Sequence, residues 1–428
     1  MLAGSSLRRV AILGGTRIPF ARAMGAYANV GNQEMLTAAF RGLVERFHLA
    51  GERLGDVAAG AVMKHSSQWN LTRECVLSSG LAPETPGVDL QRACGTSLEA
   101  AVLIGNKIAL GQIEAGIAGG VDTVSDAPIV YAREYQQLLL ASARGRTLGE
   151  RLKPWLGLRP RFFKPVVPSV AEPRTGLSMG ESTELMAKHW GIPREAQDEL
   201  ALGSHRKAAA AYARGFYKDL VVGFDGLEMD NNIRRDASLE QLAKLRPAFD
   251  RSSGQGTLTA GNSTPLTDGA AAVLLANEDW ARARSLAPLA YLTHAKAYAV
   301  DFVHGEGLLM APAYAVPLML KEAGLALGDF DLYEIHEAFA AQVLCTLKAW
   351  ESEAFGRERL GLTGAFGTID PTKLNVVGSS LAYGHPFAAT GARIVATLAK
   401  LLHERGGGRG LVSICTAGGM GVTAILEL

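Results

Sequence analysis

Cys94 lies in LQRACGTSLEAAVLIGNKIAL, residues 90–110, where an apolar, Ala-rich helix begins. A helix N-terminus carries partial positive charge and free N–H groups, so a thiol there gains thiolate character and becomes a candidate nucleophile. The alternative is a small buried apolar side chain, the commoner fate of a free cysteine. Cys415 closes an apolar run in SICTAGGMG. The glycine turn after it frees backbone N–H groups of the kind that hold an oxyanion; otherwise it is a core cysteine beside a tight turn. His336, in YEIHEAFAAQ, ends a strand-like LYEI where the helix EAFAAQVLCTLKAW starts. Strand ends in α/β folds are where ligands collect, although His336 and Glu337 also suit a helix-capping pair. His385, in VVGSSLAYGHPFAATGAR, is framed by Gly378, Ser379, Ser380 and Gly384. These small residues let a backbone or ligand approach closely. Pro386 after it suits the first turn of a helix, whose dipole lowers the histidine pKa and leaves a neutral base. A cysteine nucleophile needs a base, an oxyanion hole and, where a carbanion is made or protonated, a second acid/base. Each part is available here.

Residues so far apart act together only if the fold carries them to one place. The chain has 428 residues, 48% hydrophobic and 20% charged, enough for a large core and two or three domains. Abundant glycine and sparse aromatics suit an α/β protein with tight turns and close helix–sheet packing. The net charge of +1 offers no electrostatic case for nucleic acid. The apolar run after Arg8 and Arg9 is too short for a signal peptide, and no run reaches the ~20 apolar residues of a membrane span. Four widely spaced cysteines without a CxxC suggest neither a disulfide framework nor a metal centre. The expectation is a soluble protein in a reducing, cytoplasmic compartment.

RRVAILGGTRIPF reads as a buried strand and a glycine turn, NQEMLTAAFRGLVERF as a helix, and EAGIAGGVDTVSD as a buried strand ending in a Gly-Gly turn. Alternation of strand and helix implies a parallel or mixed sheet with helices packed on it. The course around Cys94, a Gly-containing loop, an Ala-rich helix, a buried strand and Gly-Gly, recurs around His385. The reading is therefore two similar α/β halves, 1–125 plus 256–287 and 288–428, with residues 126–255 inserted in the first.

ACGTSLEA resembles the nucleophile motif of the thiolase family. HEAFAAQ is similar to that family's Asn-Glu-Ala-Phe motif, GHPFAATGAR to its Gly-His-Pro motif, and CTAGGMG to its C-terminal Cys-x-x-Gly-Gly motif. LAKLRPAFD and GTLTAGNSTPLTDGAAAVLL are also family-like, and the similarity runs in order over essentially the whole chain. The resemblance implies a thiolase-like α/β fold, two halves in a layered αβαβα arrangement with an inserted loop domain covering coenzyme A. It implies that Cys94 carries the acyl group, that His385 takes its proton and later binds the thioester oxygen, and that Cys415 moves the proton at the acetyl α-carbon. The N–H groups of Cys94 and Ala417 then form one oxyanion hole. A water held by His336 completes the other with His385. Met179, Arg234, Ser263 and Thr264 match coenzyme A contacts. Coenzyme A is a co-substrate, no cofactor or metal is held permanently, and the assembly is a homodimer or tetramer.

Two departures refine what the resemblance implies. His336 replaces the usual asparagine, the form that looks like thiolase subunits of fatty-acid oxidation complexes; NSTPLTDGAAAVLL is similar to the bacterial member of that group. Ser178, in GLSMGEST, stands where many short-chain thiolases carry histidine. Both imply thiolytic cleavage of 3-ketoacyl-CoA in fatty-acid β-oxidation through an acyl-Cys94 intermediate. The alternative is a short-chain acetoacetyl-CoA thiolase working in the condensation direction. A β-ketoacyl synthase would show one cysteine with two histidines, and Cys415 speaks against it; a non-catalytic scaffold would be expected to lose one of the three residues. The basic, aromatic stretch from Arg144 to Arg174 reads either as a solvated loop over the coenzyme or as a docking element for a hydratase/dehydrogenase α-subunit or a membrane. Within it, GERLKPWLGL suits a short amphipathic helix.

Overall fold

A computed structural model describes residues 7–169 and 171–428. Ten strands follow in chain order: β1 (Ala11–Arg17), β2 (Ala21–Arg22), β3 (Asp56–Ala59), β4 (Gly87–Asp89), β5 (Ala115–Asp122), β6 (Thr267–Ala276), β7 (Ala290–Ala299), β8 (Leu332–Ile335), β9 (Arg409–Thr416) and β10 (Met420–Glu427). β1, β5 and β6 are buried along their whole length, as expected of strands covered on both faces. β6 shows the two-residue alternation directly. Ala270, Ala272 and Leu274 join one apolar cluster, while Ala271, Val273 and Leu275 join another.

The strand order is β4-β3-β5-β6-β1-β7-β10-β9-β8, with β2 on β6. From the middle outward it repeats itself. β1 pairs antiparallel with β6, β6 antiparallel with β5, and β5 parallel with β3. β7 pairs antiparallel with β10, β10 antiparallel with β9, and β9 parallel with β8. A short antiparallel contact, Ala11 and Ile12 against Tyr291 and Ala290, joins the halves.

Helices fill three layers around these strands. Met35, Leu36, Phe40 and Leu43 of the helix Asn32–Arg46 cover the outer face of the first half. Val316, Met319 and Leu320 of the helix Ala311–Ala323 cover the outer face of the second. Between the halves lie two apolar helices, Thr96–Ala109 and Thr390–Arg405, packed on β1, β6, β9 and β10. The result is the layered αβαβα arrangement.

The two central helices touch at their first turns. A Cβ on Gly391 would stand 2.3 Å from the Leu98 backbone nitrogen, so only glycine allows this crossing. The Ala392 N–H donates to Ser97 Oγ at 2.8 Å across it. Cys94 and His385, each just upstream of one of these helices, are thereby carried to the same point.

Gly119 and Gly120 do not form a turn: β5 runs through them to Asp122. A Cβ on Gly120 would lie 2.1 Å from the Ala388 carbonyl oxygen, so the glycine admits the loop after His385 onto the strand. From Arg133 to Phe163 the chain forms short helices. Helices Arg133–Arg144 and Leu148–Leu152 pair, with Tyr135 packed on Trp155 and Phe163. Further along, Met186 and Ala187 of the helix Met179–His189 pack on Ala341 and Cys345 of the second half. Among the described residues no helix is long and apolar enough to cross a membrane.

Candidate active site

Cys94 is presented by a tight turn. Ala93 before it has a φ of +44°, a left-handed conformation that costs a non-glycine residue energy and that surrounding contacts must hold. Thr96 supplies them: its hydroxyl donates to the Ala93 carbonyl at 2.7 Å and accepts from the Arg92 N–H at 2.9 Å. The helix starts at Thr96, so Cys94 sits just outside its first turn, partly exposed.

His385 reaches it from the opposite half. Its Nε2 lies 3.1 Å from Cys94 Sγ, and its Nδ1 lies 2.6 Å from Thr390 Oγ1. An Nε2 that accepts the thiol proton leaves the ring proton on Nδ1, donated to Thr390. The His385 N–H donates to Thr267 Oγ1, and Asp122, at the end of β5, accepts the Ala388 N–H at 2.7 Å. Sequence reasoning missed Asp122, whose carboxyl burial pushes up to about 7. His385 is not in the first turn of an α-helix, because the helix begins five residues later, at Thr390. It is nevertheless a neutral base: burial, then the Arg393 charge, lowers its pKa to about 3. Desolvation does what the helix dipole was expected to do.

Burial likewise pushes the Cys94 thiol up to about 12, against the lowering effect of N–H groups from Ala417 and Cys94 itself that face the sulfur. Burial thus favours the thiol and imidazole form of the pair over thiolate and imidazolium. Below the thiol pKa the thiolate fraction rises tenfold per pH unit. Alkylation of Cys94 by iodoacetamide is thus expected to accelerate by about tenfold per pH unit between pH 7 and 9. A rate already level from pH 5 upward would mean a thiolate–imidazolium pair at rest.

Cys415 ends β9 against Met310, Ala338 and Ala341, only 1% exposed. Burial, then the neighbouring Cys94, raises its pKa well above the thiol norm. The turn that follows carries two left-handed glycines, Gly418 (φ +78°) and Gly419 (φ +68°). Glu172 pins this turn by accepting the Gly418 N–H at 2.7 Å. Nothing local in the sequence marks Glu172, which belongs to the inserted region.

His336 directly follows β8, fully buried, its ring centroid 4.2 Å from that of His385. The helix after it starts at Ala340, so His336 and Glu337 are no capping pair. Glu337 instead gathers three segments. It accepts from Ser204 Oγ at 2.7 Å, from Asn375 Nδ2 at 2.7 Å and from the Leu381 N–H at 3.2 Å. Cys94, His336 and His385 offer donor atoms all within 4.8 Å of one another, a spacing that would also suit a metal ion.

The four expected coenzyme contacts divide. Met179 packs on the apolar cluster that contains Cys415. Ser263 and Thr264 are knitted to the HEAF segment: Ser263 bridges to Phe339, and both the N–H and the hydroxyl of Thr264 donate to the Ala338 carbonyl. The Ser263 hydroxyl is buried without a partner among the described residues. Arg234 stands apart, exposed, with its backbone N–H on His205.

Comparison with known proteins matches residues 10–279 to the thiolase N-terminal domain and residues 286–428 to the thiolase C-terminal domain. The chain is 44% identical over 427 residues to a 3-ketoacyl-CoA thiolase of Pectobacterium carotovorum, covering 98% of this chain and 97% of that one. It is 43% identical over 426 residues to a 3-ketoacyl-CoA thiolase of Yersinia enterocolitica, with the same coverage. Among solved structures, a Bacillus anthracis acetyl-CoA acetyltransferase superposes with a TM-score of 0.82 at 29% identity, covering 99% of this chain and 100% of that one. Human mitochondrial 3-ketoacyl-CoA thiolase in complex with CoA superposes with a TM-score of 0.80 at 29% identity, covering 99% and 98%.

Proposed function

The chain belongs to the thiolase family, and from that premise we propose how its residues divide the work. The reaction is cleavage of a 3-ketoacyl-CoA by CoA to acetyl-CoA and a shortened acyl-CoA, in fatty-acid β-oxidation. Cys94 attacks the ketone carbon as His385 Nε2 takes its proton. The N–H groups of Cys94 and Ala417 hold the alkoxide. The carbon–carbon bond then breaks and expels the acetyl-CoA enolate, whose oxygen is held by His385 and a water at His336. Cys415 gives its proton to the α-carbon, and acetyl-CoA leaves. A second CoA gives its thiol proton to the Cys415 thiolate and attacks the acyl-Cys94 thioester. Cys94 departs and regains its proton from His385. The kinetics are ping-pong.

The observation that carries this reading is the 3.1 Å contact between Cys94 Sγ and His385 Nε2, residues brought from opposite halves of the chain. Met179, Arg234, Ser263 and Thr264 are the proposed coenzyme contacts. The oligomer is a homodimer or tetramer, and the compartment is the reducing cytoplasm, which suits four free cysteines.

The stretch from Arg144 to Arg174 docks a hydratase/dehydrogenase α-subunit. Its support is exposure: Leu148 is 74% and Leu156 89% solvent-accessible beside many cations. One set of assays tests both substrate and partner. Thiolysis of short-, medium- and long-chain 3-ketoacyl-CoA is expected to favour the longer chains. Activity confined to acetoacetyl-CoA would favour the short-chain condensing role. Deleting residues 144–174 is expected to abolish pull-down of the α-subunit; undiminished capture would rule out that docking role.

A further inference from the structure

His336 has a buried ring nitrogen, Nε2, with no hydrogen-bond partner among the described residues. An unpartnered buried polar atom in a site marks a place kept for a ligand atom. Whether it offers a proton or a lone pair depends on the other ring nitrogen. His336 Nδ1 lies 2.8 Å from Ser380 Oγ. Behind Ser380 stands Arg393, 1% exposed, whose guanidinium reaches Ser380 Oγ at 2.7 Å and Ser379 Oγ at 3.2 Å. A guanidinium has donors only, so the Ser380 oxygen accepts from it. The hydroxyl has one proton to place, and among the described residues the remaining partner within reach is His336 Nδ1. A hydroxyl that donates to Nδ1 requires that nitrogen to be bare, which leaves the imidazole proton on Nε2.

We propose that Ser380, oriented by Arg393, is a positioning residue that holds His336 in its Nε2–H tautomer and makes it the hydrogen-bond donor to the water that holds the substrate oxygen. The inference rests on the thiolase reading for the identity of that oxygen. The two neighbouring histidines, their rings tilted 49° to each other, then carry opposite tautomers. His385 turns a lone pair to the thiol, with its proton on Thr390. His336 turns an N–H into the same space and does not compete as a second base. Burial keeps both rings neutral, so the assignment persists through the working pH range.

The test combines nitrogen NMR of ¹⁵N-histidine-labelled full-length protein with thiolysis kinetics, the His336 signals being identified by their loss in His336→Asn. Wild type is expected to show His336 protonated at Nε2. Ser380→Ala should move the tautomer toward Nδ1–H and lower kcat by about tenfold with KM changed less than about twofold, as for a weakened oxyanion donor. Ser380→Thr, which keeps the hydroxyl, should restore both. An Nδ1–H signal for His336 in wild type overturns the proposal, whether or not the variants fold. An unchanged tautomer in Ser380→Ala does the same. Failure of the thiolase reading would appear differently, as wild-type protein without thiolysis whatever its tautomer.

Discussion

Cys94→Ala is expected to lower CoA-dependent thiolysis by about ten-thousand-fold, with no acyl adduct in the intact mass after incubation with acyl-CoA. The size follows from what the thiol does. It is the sulfur nucleophile in contact with His385 Nε2, and its two flanking N–H groups lose their target without it. Neither neighbouring group substitutes for it. His336 carries no lone pair toward the site on our assignment, and Cys415 lies on the apolar side, against Met310 and Ala341. The fold should survive. The side chain is small and partly exposed, and the turn is held by Thr96 and Ala93 and not by the sulfur. Circular dichroism and kcat/KM measured on the same preparation check both halves of the expectation. A variant retaining more than about a hundredth of wild-type activity would remove Cys94 from the role of acyl carrier.

Cys415→Ala should separate the two kinds of chemistry. Cleavage is expected to fall by about a thousand-fold, the scale of a lost general acid/base. Transfer of an acetyl group from acetyl-CoA to Cys94 should slow but persist, because, with Cys415 no longer there to protonate the departing CoA sulfur, the proton that His385 takes from Cys94 can serve in its place. Exchange of acetyl α-hydrogens for deuterium should vanish with cleavage, since both need a proton moved at carbon. The alanine leaves a small void in an apolar cluster, a cost of about 1–2 kcal/mol that a large core tolerates. Loss of Cys94 acetylation together with α-hydrogen exchange would instead mean that Cys415 merely supports the site. Full retention of exchange would assign the proton transfer elsewhere.

Cys94, His336, His385 and Cys415 each stand at a junction of elements beside small residues, and a junction is a local property that twenty residues of sequence carry. The same holds for the buried strands, for the central helices and for the repeat, since apolar periodicity is written along the chain. Protonation states were not legible in this way. Dipole reasoning gave Cys94 thiolate character as a candidate nucleophile, and Pro386 put His385 beside the first turn of a helix. Yet the helices begin after both residues, and burial, a sum over every neighbour in space, favours Cys94 as a thiol and His385 as a neutral ring. The supporting contacts were equally hidden. Glu172 meets Gly418 across 246 positions, Asp122 meets Ala388 across 266, and the Gly391–Leu98 crossing brings the nucleophile to its base. Local sequence names the groups that can react, because reactivity and turn chemistry belong to a residue and its immediate neighbours. Which groups touch, and in which protonation state, follows from packing of distant segments, where one missing Cβ or one buried charge sets the outcome.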